Sequence, residues 1–182
     1  MSGHSVASRY ANAMSLLVKE QSIEPQQFYR DAKLLEACLA PQSELSELLA
    51  AHSVPLSEKA AMIGKALTGK VHKLWVDFVL LMLHKHREAN IHNALLLYSE
   101  RHRREHNIIE VYVETSHPLP AAEQQRIEQL VAKAYNKTVE FHVEIRPDLI
   151  AGLVLIVDGK MIDLSVQGQL REARKTLGII RS

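Results

Sequence analysis

The sequence predicts an α+β protein with a six-helix bundle over residues 1–106, followed by a small domain over residues 107–182. In the first segment apolar residues recur three and four positions apart, the spacing that lets a helix bury one face. Beyond residue 108 the spacing shortens to two, as in Ile109, Val111 and Val113, which indicates a strand. A chain of 182 residues is long enough for two small domains.

The first predicted helix, residues 5–20, is apolar on more than one side. One stripe at helical spacing consists of Val6, Tyr10, Ala13 with Met14, and Leu17. A further apolar set away from that stripe consists of Ala7, Ala11 and Val18. Such a helix is either central in a bundle or covers its second face with a partner. Both options stay open at this point.

Five more helices are predicted in the first domain, over residues 25–40, 43–52, 57–67, 71–86 and 91–106. The second of the six helices should bury a stripe made of Phe28, Ala32, Leu35 and Leu39. The fifth is the most apolar of the six. Cys38 is the only cysteine, so it forms no internal disulfide, and a reducing compartment and a small buried apolar role are expected.

The second domain should contain a short β-sheet (two strands plus a β-hairpin) and two helices. Strands are predicted near residues 109–114 and over 138–145, with a helix over 121–135 between them. Residues 153–157 and 160–163 should form the hairpin, because Asp158-Gly159 is a typical two-residue turn. A last amphipathic helix is predicted over residues 166–177.

The charge balance gives no reason to expect nucleic acid or an anionic membrane as a ligand. The chain carries 22 basic and 21 acidic residues, a net charge of +1. Its apolar runs are shorter than the roughly 20 residues that span a bilayer. Residues 1–7 lack the charged and apolar regions of a signal peptide, so a soluble, cytoplasmic protein is expected.

Residues 64–71, Gly-Lys-Ala-Leu-Thr-Gly-Lys-Val, come close to the P-loop pattern, in which backbone N–H groups cradle a phosphate. Val71 stands where a hydroxyl residue should ligate magnesium, and a helix rather than a strand precedes Gly64. The preferred interpretation is a helix C-terminus followed by a short loop. No cofactor is expected.

His102 and His106 match the H-x-x-E-H pattern of one class of zinc proteases, since histidines four apart share a helix face. Two arginines between them disfavour a dication, so a solvated helix end is preferred. The same arginine-rich stretch, residues 101–104, is the one feature that favours a small RNA-binding or regulatory adaptor. No catalytic, cofactor-binding or metal-binding residue is assigned, and apolar helix faces favour a protein-binding role.

Several strings resemble the delta subunit family of bacterial F-type ATP synthases, which is related to the mitochondrial oligomycin-sensitivity-conferring protein. Residues 7–13 are similar to the family's opening helix, and residues 111–119 are similar to the strand and turn that open its second domain. The longest match covers residues 148–170. The signature positions that it fills include Gly152, Asp163, Ser165 and Gly168.

The resemblance implies a non-catalytic stator subunit that links the catalytic head to the peripheral stalk and resists rotor torque during ATP synthesis coupled to ion transport. Residues 1–106 would bind the N-terminal helices of the alpha subunits, and residues 107–182 the C-terminal end of the b subunit. The resemblance further implies a monomer, one copy per complex, at the cytoplasmic face of the plasma membrane.

The resemblance also places the alpha-binding surface on the first and fifth helices. The corresponding residues here are Tyr10, Ala13, Met14, Asp77, Phe78 and Leu81. For each of them, packing within the protein's own core is the alternative interpretation.

Overall fold

The computed structural model describes residues 3–51, 53–149 and 151–176. The chain divides into two compact units, Met1–His102 and Arg103–Ser182. Helices make up the first unit, and the second combines helices with a sheet of parallel and antiparallel strands. The predicted α+β class is therefore confirmed.

The first helices of the chain agree with the predicted segments to within two residues at each described end. Their bounds are α1 Gly3–Glu20, α2 Pro25–Cys38, α3 Glu44–Ala50, α4 Leu56–Leu67, α5 Lys73–His84 and α6 Ile91–Glu105, with a short 3-10 helix, Glu88–Asn90, before α6. His52, the predicted end of the third helix, lies outside the described residues. In the part of the chain that the structure describes, every helix is too short or too polar to cross a membrane.

An aromatic cluster organises the core of the first unit. Phe28 stacks on Trp75 with ring centroids 4.6 Å apart, and Tyr98 meets both rings edge to face. The Trp75 indole N–H donates to the Phe28 carbonyl oxygen at 3.0 Å, so its polar atom is satisfied although the side chain is buried. The predicted α2 stripe, which includes Leu35 and Leu39, is buried here as expected.

Helix α1 turns one apolar face inward and leaves a second one partly open. The inward face consists of Ala7, Ala11, Met14 and Val18. The half-exposed or exposed face consists of Val6, Tyr10, Ala13 and Leu17. Each set repeats at i, i+4, i+7 and i+11, so the two stripes run side by side along the helix. The first stripe predicted from the sequence is therefore, apart from Met14, the less buried one.

Cys38 is exposed, so the expectation that it is a buried small residue was wrong. Cys38 is the last residue of α2, and the core-facing stripe of that helix ends with Leu35 and Leu39 instead. Helical geometry turns the position between these two leucines away from the core.

The second unit is a four-stranded sheet with strand order β2-β1-β3-β4. Its elements are β1 Ile108–Thr115, α7 Ala121–Tyr135, β2 Thr138–Ile145, β3 Leu153–Val157, β4 Lys160–Asp163 and α8 Val166–Thr176. Strands β1 and β2 are parallel, with α7 as the crossover that a parallel pair needs. The core beneath β1 consists of Ile109, Val111, Val113, Val131 and Val157. Leu177, the predicted end of the last helix, lies outside the described residues.

The hairpin between β3 and β4 forms at the predicted turn. Asp158 and Gly159 have φ values of 50° and 75°. Positive φ at both central residues is what a type I′ turn requires, and its twist matches that of the paired strands. The hairpin prediction is confirmed.

Candidate functional site

Helices α1 and α5 meet through Tyr10 and Phe78. Their rings are in edge-to-face contact, with centroids 5.9 Å apart. Phe78 is buried, 4% exposed, whereas Tyr10 is half-buried and accepts a hydrogen bond at its hydroxyl oxygen from Arg87 Nη1 at 3.0 Å. The pair therefore lies where the core of the first unit reaches its surface.

The six residues predicted to bind a partner divide into three groups by exposure. Ala13, Asp77 and Leu81 are exposed, and Leu81 keeps 43% of its surface in solvent. Tyr10 is half-buried. Met14 and Phe78 are buried, at 5% and 4% exposure, which favours the packing role for these two. The structure thus joins α1 and α5 in one region, while direct partner contact by these residues stays a prediction.

Sequence reasoning missed Arg87 and Leu16 in this region. Arg87 follows α5 and donates to the Tyr10 hydroxyl, a contact across 77 positions that no local pattern signals. Leu16 is an exposed leucine on α1. Its signal was available, since it extends the apolar character of the helix beyond both stripes.

The signature residues of the second unit form a hydrogen-bonded lock at the start of α8. The Asp163 carboxylate accepts hydrogen bonds at Oδ1 from the Ser165 hydroxyl at 2.6 Å and from the Ser165 N–H at 3.0 Å. The Ser165 Oγ accepts from the Gly168 N–H at 3.0 Å, which is the contact of a helix N-cap. Arg171 Nη2 donates to Asp163 Oδ2 at 2.5 Å. These contacts fix where α8 begins relative to β4.

Two signature glycines stand where a side chain has no room. Gly152 has φ +90°, and a Cβ there would lie 2.6 Å from the Leu164 carbonyl oxygen. At Gly168 a Cβ would lie 2.5 Å from the Asp163 carboxyl carbon. At Gly152 the obstruction is backbone, and at Gly168 it is the Asp163 carboxylate; a structural role for the whole signature stays a prediction.

Hydrogen bonds lower the pKa of two carboxyl groups in this unit. The hydroxyl of Ser165, then its N–H and Arg171, hold the pKa of Asp163 below its ordinary value. Arg146 does the same for the pKa of Asp148 through two hydrogen bonds of 3.0 Å and 2.8 Å. Both carboxylates favour the charged form, as structural anions do.

The P-loop pattern does not form a phosphate cradle. Gly64 lies inside α4, and its carbonyl accepts a hydrogen bond from the Thr68 hydroxyl at 2.6 Å as the helix ends. The preferred interpretation, a helix C-terminus, is confirmed. Among the described residues, no strand leads into this segment.

Residues that suggested a zinc site or RNA binding make contacts within the protein instead. His102 is buried and stacks on Tyr29, with ring centroids 4.3 Å apart and an interplanar angle of 6°. Arg101 donates to Asn12 Oδ1, and Arg103 forms an ion pair with Glu110 at 3.2 Å. Stacking explains the burial of the His102 ring, and two arginines of the basic stretch contact the protein's own side chains.

Comparison with known proteins yields one family. The family model described as ATP synthase delta (OSCP) subunit matches residues 6–177. Proteins named ATP synthase subunit delta match from Parabacteroides distasonis (29% identity, 94% of this chain and 95% of the relative) and Synechococcus elongatus (28%, 89% and 90%). The relative from Desulfitobacterium hafniense strain Y51 is 24% identical over 94% of this chain and 96% of its own.

A solved structure shares the fold. A chain of the cryo-EM structure of the Toxoplasma gondii mitochondrial ATP synthase hexamer superposes with a TM-score of 0.72 at 16% identity, over 97% of this chain and 98% of that one. The comparisons offer no support for an RNA-binding adaptor. With a family model spanning nearly all of its length, the chain belongs to the ATP synthase delta (OSCP) subunit family, whose members are non-catalytic stator components of F-type ATP synthase.

Proposed function

We propose that this protein ties the catalytic head of an F-type ATP synthase to its peripheral stalk and so resists rotor torque. Its first unit, a six-helix bundle, holds the N-terminal helices of the alpha subunits. Its second unit holds the C-terminal end of the b subunit. One monomeric copy acts in each complex, at the cytoplasmic face of the membrane and attached only through its partners.

The open apolar stripe of α1, which is its half-exposed or exposed face, carries this proposal. Tyr10, Ala13 and Leu17 stay partly or fully exposed beside the buried stripe, although Tyr10 and Leu17 also pack against the core with part of their surface. A surface helix that needs one buried face would gain nothing from a second apolar stripe in water. A partner helix laid on this stripe would bury it.

Helix α5 offers a matching strip beside the Tyr10–Phe78 contact. Leu74, Asp77 and Leu81 follow one another at helical spacing and are half-exposed or exposed. With the open stripe of α1, which meets α5 at the Tyr10–Phe78 contact, they make up the mostly apolar set of residues that we call the α1/α5 surface. Such a surface suits an amphipathic helix that binds by apolar burial rather than by salt bridges.

Apolar side chains of the second unit support a further contact for the b subunit. Exposed residues around β4 and the start of α8 are Met161, Ile162, Leu164, Val166 and Leu170. Strand β4 lies at the edge of the sheet, where a partner segment has access to the backbone. An extended or helical end of the b subunit would cover this region.

A stator must hold while the rotor turns, so slow dissociation matters more than fast association. Affinity differences between related complexes arise mostly in the dissociation rate. Burial of the apolar α1/α5 surface against a partner helix would slow dissociation and needs no reactive group. This role requires no catalytic residue and no cofactor.

Isothermal titration of the full chain with a peptide of the first ~25 residues of the host alpha subunit tests the alpha contact, a length that allows a stable bound helix. Leu81→Asp should weaken binding at least about tenfold, since a charge would be buried against an apolar partner. Leu34→Asp is the matched control, because Leu34 is 47% exposed on α2, against 43% for Leu81. Ala13→Asp and its control Ala37→Asp, both exposed alanines, repeat the comparison on α1.

Equal affinity of the Leu81→Asp variant and wild type would remove the α1/α5 surface from the proposal. Equal weakening by Leu34→Asp would have the same consequence, because the effect would then not be local. A folded wild-type protein that binds neither the alpha peptide nor a peptide from the C-terminal end of the b subunit would overturn the adaptor role.

A further inference from the structure

The parallel strands β1 and β2 bring two carboxylates and an imidazole together on one face of the sheet. Glu110 and Glu140 are paired neighbours across the two strands, and His142 lies two residues beyond Glu140. One potential ligand atom from each of the three residues lies within 4.8 Å of the other two. All three side chains are half-buried, within the second unit.

The imidazole nitrogen points between the two carboxylates. His142 Nε2 lies 3.4 Å from Glu140 Oε1 and 3.7 Å from Glu110 Oε1. The atom is shielded from solvent, and its two contacts with these carboxylates are ion pairs only when the imidazole is protonated; no hydrogen bond reaches it from the described residues. A shielded nitrogen without a hydrogen bond is uncommon in proteins, and a bound ion is one explanation for it.

The spacing of these atoms matches the ligands of a tetrahedral metal ion. Zinc binds imidazole nitrogen at about 2.0–2.1 Å and carboxylate oxygen at about 2.0–2.2 Å. In a tetrahedron, two ligands at these distances lie about 3.4 Å apart. The two measured separations from Nε2, 3.4 Å and 3.7 Å, are near that value and longer than good hydrogen bonds.

We propose that Glu110, Glu140 and His142 form a Zn²⁺-binding site, with water completing the coordination. Imidazole together with carboxylates suits zinc and similar first-row transition ions, whereas Mg²⁺ and Ca²⁺ prefer oxygen ligands alone. Like charges directly opposite one another in a sheet repel, and a dication between Glu110 and Glu140 would reduce the repulsion that remains beside Arg103. The site is independent of the surfaces proposed for the partners.

Neighbouring side chains hold the ligands in place. The guanidinium of Arg103 contacts both carboxylate oxygens of Glu110, at 3.3 Å and 3.2 Å, which fixes the plane of that carboxylate although its positive charge works against a dication. Tyr112 stacks on the imidazole of His142, with centroids 4.8 Å apart and an angle of 21°. Supporting contacts of this kind orient ligands before a metal binds. Metal binding would clamp β1 to β2 and stabilise the second unit.

Isothermal titration of the full, metal-stripped chain with ZnCl₂ in excess Mg²⁺ tests the proposal. Wild type should bind one Zn²⁺ that Mg²⁺ does not displace. His142→Gln and Glu140→Gln should each weaken binding at least about tenfold, since loss of a supporting contact alone costs that much. The matched controls are His106→Gln, an exposed histidine, and Glu144→Gln, an exposed glutamate on β2.

Two further measurements keep the result independent of folding. Circular dichroism should show unchanged helix and strand content in each variant, and Zn²⁺ should raise the thermal midpoint of wild type but not of His142→Gln. Bound Co²⁺ should give the intense visible bands of a tetrahedral ion. Absence of one-to-one binding by folded wild type, or equal weakening by His106→Gln and His142→Gln, would overturn the site.

Discussion

The ring of Tyr10 meets the ring of Phe78 edge to face, and this contact joins α1 to α5 where the core of the first unit reaches solvent. One partner of the pair is half-buried and the other is buried. Changes at the pair therefore alter stability and the α1/α5 surface together. Exposed neighbours such as Ala13 and Leu81 allow the two effects to be separated.

Phe78→Ala should lower the free energy of unfolding by about 3–5 kcal/mol, because a buried aromatic ring is lost and leaves a cavity. A double-mutant cycle with Tyr10→Ala should give a coupling energy of about 0.5–1.5 kcal/mol for the ring contact. Urea unfolding followed by the fluorescence of Trp75, the single tryptophan, measures both. Strict additivity of the two substitutions would contradict an energetic role for the contact.

Tyr10→Phe is the conservative control for that cycle. It keeps the ring against Phe78 and removes only the hydrogen bond from Arg87, a contact at the exposed edge of the pair. Its expected cost is below about 1.5 kcal/mol. A larger loss would show that the hydroxyl, and not the ring, holds the two helices together.

Local pattern predicted most elements of the fold because each carries its own signal. The alternation of apolar and polar residues predicted β1, and the Asp158-Gly159 turn predicted the hairpin. Apolar residues three and four positions apart predicted the helices. The candidate site was harder, since periodicity shows that a stripe is apolar but not which of two adjacent stripes is buried. In α1 the stripe of Tyr10 and Ala13 is more exposed than that of Ala7 and Ala11, because packing in the bundle buries the second of these stripes.

Long-range contacts are the part that no pattern in the sequence supplied. The Tyr10–Arg87 hydrogen bond and the cluster of Glu110, Glu140 and His142 depend on how distant segments are placed. The cluster also depends on the register of two parallel strands, in which Glu110 is paired with Glu140. The prediction that Cys38 is buried failed for a related reason, because a thiol is compatible with both faces of a helix.

Three glycine-to-alanine substitutions should differ in sign and size. Gly64→Ala should stabilise the protein by about 0.5–1 kcal/mol, because Gly64 lies in α4 with open space around its Cα. Gly159→Ala should cost about 1–2 kcal/mol from its positive φ alone. Gly152→Ala should cost more than Gly159→Ala, since overlap with the Leu164 carbonyl adds to the positive φ.

Thermal unfolding by circular dichroism ranks the three variants. Gly159→Ala is the matched control for Gly152→Ala, because both have positive φ and only Gly152 lacks room for a Cβ. Equal midpoints for these two would contradict the close backbone approach at Gly152. A loss of stability in Gly64→Ala would contradict the helical assignment of the P-loop-like segment.

Cys38 should react with a thiol reagent in the folded protein, because its side chain is exposed at the end of α2. One thiol per chain should be modified, at a rate within about tenfold of the rate in denaturant, where every thiol is accessible. Absorbance of the released chromophore gives both the number and the rate. Protection by several orders of magnitude in the native protein would contradict the exposure.

The hydrogen bonds to Asp163 should make the second unit sensitive to acid. A carboxyl whose pKa is lowered by folding stabilises the native state above its unfolded pKa, about 3.9, and loses that contribution as pH falls through the folded pKa. The stability difference between wild type and Asp163→Asn should therefore shrink as pH falls below about 4. Urea unfolding at a series of pH values measures it, and a difference independent of pH would contradict the linkage.

Ser165→Ala tests the cause of that lowered pKa directly. The hydroxyl of Ser165 is the principal donor to Asp163, so its removal should raise the pKa of Asp163 toward the ordinary value. The same change removes the N-cap contact to Gly168 and should cost about 1 kcal/mol of stability.

Carboxyl-carbon NMR titration follows each aspartate separately. Asp148 is the internal control, because Arg146 lowers its pKa and the substitution leaves that pair intact. A rise in the pKa of both aspartates would indicate a general loosening of the unit. An unchanged pKa of Asp163 would contradict the principal role of the Ser165 hydroxyl and show that the other donors hold the pKa down.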